Sequence, residues 1–294
     1  MVASASGASV QSVHALPFLV ALASAAILAP AVLRALSAGG HSKANYRSRQ
    51  LPCPLGVLTL AAALIALIPL MLLQRLASAE VFHPEVLPIA VYALGVMALG
   101  LIDDTLGERR SDGADRPLQR GWRGHGAAVL RGELSTGALK AAGSLGLALF
   151  TMDALGLSDG RWLLAAAVLV LATNAFNLLD LRPGRSTKAF VLLGAGLTIG
   201  SAEARSLWSL GLFAGPALVA GFYDLRERAM LGDTGANLLG ALAGLWLVLT
   251  LSGTGQLVAL ALLAVVTLYG ELRSISELIE RVPGLRELDS WGRP

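Results

Sequence analysis

Long apolar runs separated by short polar segments dominate the hydrophobic pattern of this chain. Each run approaches the ~20 residues that an α-helix needs to cross a hydrocarbon core about 30 Å thick. The pattern predicts nine membrane-spanning helices, over residues 15–34, 55–73, 86–102, 134–152, 162–179, 189–202, 206–223, 235–252 and 255–270. The sixth run is short, so it is either re-entrant or extended at one end. We therefore expect an all-α, polytopic transmembrane helical bundle.

The runs form one membrane domain without an internal repeat or an interdomain linker. We expect a short N-terminal tail over residues 1–14, the membrane domain over 15–270 and a polar C-terminal tail over 271–294. The first dozen residues are small or polar and carry no basic residue, which favours a retained first helix over a cleaved signal peptide. In the C-terminal tail, apolar residues recur at helical spacing up to Pro283. This spacing predicts a helix lying on the membrane surface or on the protein.

Composition supports lipid as the solvent. Hydrophobic residues make up 55% of the chain and charged residues 15%, whereas soluble domains have about 25% charged residues. The pI is about 9.3, but the net charge is only +3 and the basic residues lie between apolar runs. We expect no nucleic-acid partner. The single cysteine excludes an intramolecular disulfide, and the four histidines show no spacing typical of metal ligands.

The basic residues are distributed unequally between the two sides of the predicted bundle. Segments 34–54, 103–140, 180–188, 224–233 and 271–294 share one side and hold 20 of the 23 Lys and Arg residues. The positive-inside rule then places the N-terminus outside and the C-terminus in the cytoplasm. We expect a multi-pass protein of the bacterial inner (plasma) membrane.

Two polar clusters lie where predicted spans end on the cytoplasmic side. Asp103 and Asp104 close the third span. Adjacent carboxylates at this position repel each other and meet the negative end of the helix dipole, which is unfavourable unless a cation compensates their charge. The alternative is a solvated helix end. Asn174, Asn177 and Asp180 follow one side of the fifth span. They either line a cavity or form hydrogen bonds between packed helices.

A third cluster opens the eighth span, where Asp233 lies between Gly232 and Gly235. Asp233 is either an N-cap of the helix or a ligand-binding carboxylate, since flanking glycines let the backbone approach a ligand closely. Carboxylates hold Mg²⁺ while phosphate oxygens complete its shell, and Arg and Lys bind the remaining negative charge. Three acidic clusters beside Arg-rich loops therefore predict a metal and phosphate site on the cytoplasmic face.

Five motifs in this order resemble the polyprenyl-phosphate N-acetylhexosamine-1-phosphate transferase superfamily, which includes phospho-N-acetylmuramoyl-pentapeptide transferase. The resemblance extends from about residue 41 to residue 252. The motifs are Asn45-Tyr46-Arg47-Ser48-Arg49 followed by Pro52, Pro54 and Gly56; the pair Asp103-Asp104; Gly132 to Gly137 with Lys140; Asn174 to Asp180, similar to NxxNLxD; and Gly232-Asp233-Thr234-Gly235, similar to GD(A/T)G.

The resemblance implies a reaction that moves a sugar-1-phosphate from a UDP-sugar to polyprenyl phosphate and releases UMP, in cell-envelope glycan synthesis. It implies catalytic roles for Asp103, Asp104 and Lys140. It also implies that Asp233, with Asp103 and Asp104, binds Mg²⁺, with Mn²⁺ as the alternative ion. Besides the bilayer and the two substrates, a second copy of the chain is a candidate partner. The substrate contacts that we predict are Asn45, Arg47, Asn174, Asn177, Asp180, Arg182 and Arg185.

The loop after Asp180 departs from the family pattern. Members usually continue NLxDGLDGLA, whereas this chain reads NLLDLRPGRSTKA, with Pro183 where a second aspartate is expected. Arg182, Arg185 and Lys188 make the loop basic. One hypothesis is that these side chains bind phosphate, since the planar fork of Arg can pair with two phosphate oxygens. The alternative is that they only orient the chain in the membrane.

Two further departures keep a second function open. The chain has nine predicted spans where the family usually has ten, and it lacks the His-rich loop that many members carry between the last two spans. The second hypothesis is a catalytically silent relative that binds lipid-linked or nucleotide ligands as a scaffold or regulator. A transporter is disfavoured, because the polar clusters lie at helix ends and not at mid-membrane.

Overall fold

A computed structural model describes residues 13–106 and 136–294. This part of the chain is nearly all α-helical, and each of the nine apolar runs coincides with one long helix. The long helices are α1 (Leu16–Ala38), α2 (Val57–Leu76), α3 (Val86–Leu106), α4 (Thr136–Ala154), α5 (Asp159–Leu179), α6 (Arg185–Ser201), α7 (Arg205–Leu225), α8 (Gly232–Thr250) and α9 (Gly253–Leu272).

Three shorter features complete the described part. A small antiparallel hairpin, β1 (Ser42–Ala44) and β2 (Gln50–Pro52), connects α1 to α2, with Lys43 opposite Leu51. Two short helices, α10 (Ile275–Arg281) and α11 (Pro283–Ser290), form the C-terminal tail. The tail was predicted to be helical up to Pro283, and the structure adds a second helix that begins at this proline. Proline is well tolerated there, because the first turn of a helix needs no hydrogen bond from its nitrogen.

Seven of the described helices are long and apolar enough to cross a membrane: α1, α2, α3, α5, α7, α8 and α9. The other two long helices miss these criteria. Helix α6 has only 17 residues, and α4 includes both Lys140 and Asp153. The described residues therefore support a membrane protein, whereas the count of nine spans and the orientation stay predictions.

Helix α8 lies at the centre of the bundle and packs against α5, α3, α6 and α7. Small residues allow this close packing. Gly240 of α8 lies against the backbone of Thr173 in α5, and Gly244 lies against Leu169. Helix α1 packs on α7 in the same way, where Gly211 and Gly215 face α1. In lipid, the hydrophobic effect does not drive helices together, because the acyl chains are as apolar as the side chains. Helices therefore associate through close van der Waals packing, which small residues permit.

The alternation of helix directions gives the bundle two ends of different chemistry. At one end, which we call the acidic end, α3, α5 and α7 finish and α4, α6 and α8 begin; the β1–β2 hairpin and the C-terminal tail lie there too. At the other end, which we call the opposite end, α2 finishes, α3 begins, and the connection from α6 to α7 lies close by. The predicted site residues all belong to the acidic end.

Candidate functional site

Lys140 joins two carboxylates from different helices at the acidic end. Its Nζ atom lies 3.0 Å from Oδ2 of Asp103 in α3 and 2.5 Å from Oδ2 of Asp233 in α8. Asp103 is also within hydrogen-bonding reach of Asp233 and of Thr136. The three charged side chains remain accessible, with 18%, 23% and 31% of the side chain exposed for Lys140, Asp103 and Asp233. A solute at this end of the bundle can therefore reach the cluster.

Asp104 points differently from its neighbour and caps the start of α8. Its two carboxylate oxygens accept hydrogen bonds from the backbone N–H of Asp233 (2.9 Å), the backbone N–H of Thr234 (2.8 Å) and the Thr234 hydroxyl (2.7 Å). The first N–H groups of a helix lack partners within it and carry its positive dipole end. The buried Asp104 carboxylate provides these N–H groups with hydrogen-bond acceptors and places a negative charge at the positive end of the dipole. These bonds fix the start of α8 to the end of α3.

Asp233 lies in the first turn of α8, and the N-cap position is taken by Leu231 without a side-chain capping bond. Asp104 thus caps α8, a role that was one of the two alternatives for Asp233. The Asp233 carboxylate contacts Lys140 instead. The surrounding glycines allow the close packing that sets this geometry. Gly232 adopts φ +69°, and a side chain at Gly56 would collide with the backbone of Thr234 and Gly235.

A second pair of acids connects the loops that flank this cluster. The Asp224 carboxylate accepts a hydrogen bond from the backbone N–H of Gly184 (2.6 Å) and a longer one from Leu231 (3.4 Å). Asp180 lies beside it and interacts with the Ser186 hydroxyl. Burial raises the pKa of the Asp180 carboxyl well above its usual value, and the charge of Asp224 adds to the rise. This carboxyl therefore favours a cation or a proton.

Glu227 anchors the β1–β2 hairpin to the acidic end. Its buried carboxylate accepts hydrogen bonds from Nδ2 of Asn45 (3.3 Å) and from the Tyr46 hydroxyl (3.1 Å). The guanidinium groups of Arg47 and Arg49 lie 3.5 Å from it. Asn45 Oδ1 also accepts the backbone N–H groups of Arg47 and Arg49, which closes the turn. Asn45 is thus buried in the turn, while much of the Arg47 side chain is exposed.

The basic loop after Asp180 is bound by the C-terminal tail. Arg185 pairs with both carboxylate oxygens of Asp289, at 2.9 and 3.1 Å, and donates to Ser276 at 3.1 Å. Lys188 donates to the backbone carbonyls of Leu288, Asp289 and Trp291. The fork of Arg185, which the sequence hypothesis assigns to phosphate, is used by a carboxylate of the same chain.

Arg182 makes contacts on both sides of the same loop. It forms an ion pair with Glu280 of α10, and its guanidinium lies 5.3 Å from the centre of the Tyr46 ring. Cation–π contacts of this kind add a modest stabilisation at partly exposed sites. The hairpin, the basic loop and the tail are therefore connected through Arg182.

Asn174 and Asn177 lie in the last two turns of α5. Among the described residues, neither forms a hydrogen bond or ion pair with Asp103, Lys140 or Asp233. Nδ2 of Asn174 is buried and has no hydrogen-bond partner in residues 13–106 and 136–294. Buried polar atoms are nearly always paired in native proteins. Asn174 is therefore available to a ligand or to a water molecule.

The fit to a divalent metal depends on two of the three predicted ligands. Within the described ranges, no three His, Cys, Asp or Glu side chains are placed to share one metal ion. Mg²⁺ sites, however, often use only one or two carboxylates and complete the shell with water and phosphate oxygens. Asp103 and Asp233 fit this requirement, since they already share the ammonium of Lys140. Asp104 fits less well, because both its oxygens accept hydrogen bonds from α8.

Sequence reasoning missed Asp224 and Glu227. Both follow the seventh apolar run. The signal is the one that identified Asp103 and Asp104, namely acids at the end of a predicted span. The Gly132 to Gly137 motif cannot be compared in full, because residues 132–135 lie outside the described part. Lys140, which follows it, does reach Asp103 and Asp233.

Comparison with protein-family models and with curated proteins finds no match to this chain. The resemblance to the polyprenyl-phosphate transferases thus rests on the five sequence motifs.

Proposed function

We propose that this protein is a Mg²⁺-dependent membrane transferase that moves a sugar-1-phosphate from a UDP-sugar to polyprenyl phosphate and releases UMP. The observation that carries the proposal is the convergence of Asp103, Lys140 and Asp233, from three different helices, on one accessible point. These residues belong to three of the five motifs. An ion cluster with only a structural role would not explain why its three residues come from three of the motifs.

The charges of the cluster suit a diphosphate. Lys140 can bind a phosphate oxygen while Asp103 and Asp233 hold the metal, because an ammonium group donates to oxygen and carboxylates accept a hard cation. When bound, Mg²⁺ would offset the negative charge on the diphosphate. Asp104 acts indirectly by holding the start of α8, and hence Asp233, in place. Catalysis of phosphoryl transfer by such a site is mostly positioning and electrostatic stabilisation.

The carrier phosphate needs little activation. A phosphate monoester has a second pKa near ~6, so most of it is dianionic at neutral pH. Asp103 therefore need not act as a general base. In this proposal, Asp103 orients the carrier phosphate and shares the metal with Asp233, and Asn174, Asn177 and Asp180 lie on the nucleotide side of the site.

The proposal includes a location. Nine spans with the N-terminus outside would put the acidic end at the cytoplasmic face of the plasma membrane, where nucleotide sugars are made. The distribution of Lys and Arg supports this orientation. Reporter fusions at Gly292 and Gly156 test it: we expect Gly292 inside and Gly156 outside. A result with both reporters on one side would contradict the nine-span topology.

A catalytically silent relative is the second candidate, and one observation favours it. Arg185 and Lys188 bind the C-terminal tail and are buried, so these two cations are not free to bind a phosphate group. A scaffold would retain ligand binding at the acidic end and lose transfer.

Release of UMP separates the two candidates. The purified protein is incubated with Mg²⁺, undecaprenyl phosphate and a panel of UDP-sugars, alongside the variants Asp233→Asn, Lys140→Met and Asp153→Asn. The transferase proposal expects UMP from wild type and from Asp153→Asn, whose exposed carboxylate lies at the opposite end. It expects a loss of roughly a hundredfold or more in the other two. Binding of a nucleotide sugar without any UMP release would support the silent relative.

A further inference from the structure

The opposite end of the bundle contains two adjoining cavities of different character. An apolar cavity of about 460 Å³ lies between α2, α3 and α7, and a polar cavity of about 1120 Å³ lies beyond it. Both are within or near the size range of small-ligand sites. Four residues line both cavities, so the two adjoin: Gln74, Phe82, His83 and Pro84.

The apolar cavity reaches the surface of the bundle that faces lipid in a membrane. Its lining includes Leu64, Met71 and Leu87, whose side chains are largely exposed along α2 and α3. A hydrocarbon chain in the bilayer can therefore enter from the side. An amphiphile complements both cavities at once, because one is lined mostly by apolar atoms and the other by polar and apolar atoms in similar amounts.

Unpaired polar atoms lie beside the junction of the two cavities. The rings of His14 and His83 stack with their centres 3.9 Å apart, and both residues line the polar cavity. Nδ1 of His14 and Nε2 of His83 are buried and have no hydrogen-bond partner in the part of the chain that the structure describes. His14 is only 8% exposed. Since leaving a buried polar atom unpaired is unfavourable, these two nitrogens favour a ligand that supplies partners.

The charges of the polar cavity select the head group. Arg205 lines the cavity and has an exposed side chain, which is held at one edge by Glu85. Glu80 and Glu203 also line the cavity, and their side chains are exposed. The described lining thus has more negative than positive charge. Glu85 uses Nε and Nη2 of Arg205, so Nη1 is the guanidinium nitrogen that can donate to a phosphate group. A head group with both a phosphate and an ammonium group complements this arrangement, whereas a purely anionic one does not.

We propose that the opposite end is a binding site for a zwitterionic phospholipid with an ammonium head group. One acyl chain lies in the apolar cavity between α2, α3 and α7. The phosphate accepts hydrogen bonds from Arg205 and from the imidazoles, and the ammonium group lies near Glu80 and Glu203. Burial, and next the proximity of His14, lowers the pKa of His83. The imidazole is then neutral at pH 7 and retains one N–H donor.

Lipid retention tests the site independently of the transferase proposal, because it involves neither the acidic end nor a sugar nucleotide. The protein is purified in detergent and titrated with phosphatidylethanolamine or phosphatidylglycerol, and bound lipid is counted by native mass spectrometry. We expect one phosphatidylethanolamine per chain, bound at least tenfold more tightly than phosphatidylglycerol.

Two variants and a matched control locate the lipid. Leu64→Trp fills the mouth of the apolar cavity, and His83→Phe keeps a ring but removes its polar nitrogens. Ile68→Trp changes an exposed residue of the same helix that lines neither cavity. We expect at least tenfold weaker binding in the first two variants and wild-type binding in the control. Equal affinity for the two lipids, or wild-type binding by both Leu64→Trp and His83→Phe, would overturn the proposal.

Discussion

The two ends of the bundle differ in how several of their ionisable side chains are paired. At the acidic end, Asp104, Glu227 and Arg185 each make several contacts with other segments of the chain. At the opposite end, His14 and His83 have buried nitrogens with no partner in the described residues. These ionisable side chains of the acidic end are thus held in place by the chain itself, whereas the two histidines of the opposite end lack partners that a bound molecule can supply. The following predictions test this difference.

The largest expected effect is at Asp104. Asp104→Ala removes the acceptor of three hydrogen bonds and leaves the start of α8 uncapped. We expect the free energy of unfolding to fall by about 3 kcal/mol or more, since each unpaired buried donor costs about 1–3 kcal/mol. The measurement is thermal or denaturant unfolding in detergent. Asp153→Ala, at an exposed carboxylate of the opposite end, should change stability by less than about 0.5 kcal/mol. Equal effects of the two variants would contradict the capping role.

Two ion pairs of the same chemistry provide the next comparison. Arg185 and Asp289 are 6% and 8% exposed at the acidic end, whereas Arg205 and Glu85 are 59% and 19% exposed at the opposite end. We expect Asp289→Ala to release the tail at a cost of about 2 kcal/mol. This is less than the ~3–5 kcal/mol for breaking a fully buried pair, because release of the tail exposes the unpaired Arg185 to water. Arg205→Ala should cost at most about 1 kcal/mol in lipid-free detergent.

Trypsin cleavage within the tail reports its release. Asp289→Ala should speed cleavage at Arg281 and Arg286 by tenfold or more, and Arg205→Ala should leave it unchanged. Wild-type cleavage of Asp289→Ala would show that the tail is held by other contacts.

A smaller effect of opposite sign is expected at Asp180. Its folded pKa is raised, so the ionised carboxyl destabilises the folded state, and this cost is present in full above the folded pKa. The cost disappears as the pH falls from the folded pKa towards the unfolded value of about 3.9. In metal-free buffer, Asp180→Asn should therefore be more stable than wild type by roughly 1 kcal/mol at neutral pH, with a smaller gain on acidification. A destabilised Asp180→Asn with an unchanged pH profile would contradict this.

The smallest effect concerns the pH dependence of the tail. Against the effect of burial, contacts with Arg185 and Arg293 hold the pKa of Asp289 below its usual value. The pairing is thus complete above the unfolded pKa of about 3.9 and is lost only as the pH falls through the lower folded value. Tail cleavage by a protease active across this range should stay constant from pH 7 to pH 5. A rise within that window would show that another group controls docking.

The helices could be predicted from the sequence because each depends on a local pattern. All nine apolar runs are helices, and the predicted site residues lie at one end of the bundle because spans of similar length alternate in direction. The resemblance to the family motifs singled out Lys140, Asp103 and Asp233, which meet in the structure.

The contacts between distant segments could not be predicted in the same way. Asp104 and Asp103 are adjacent in sequence, yet one caps α8 and the other contacts Lys140. Nothing in the local pattern distinguishes them, because the capped helix lies about 130 residues further along the chain. The pairing of Arg185 with Asp289 likewise joins segments 104 residues apart. The sequence predicted a basic loop and a helical tail, but not that one binds the other.

The central claim is that the acidic end transfers a sugar-1-phosphate. The most direct measurement is the yield of UMP and of lipid-linked sugar diphosphate from the same reaction, for wild type and Lys140→Met, with each substrate omitted in turn. We expect equal amounts of the two products from wild type, only when Mg²⁺, the UDP-sugar and undecaprenyl phosphate are all present, and at least a hundredfold less from the variant. Wild-type protein that unfolds cooperatively but yields neither product from any UDP-sugar would contradict it.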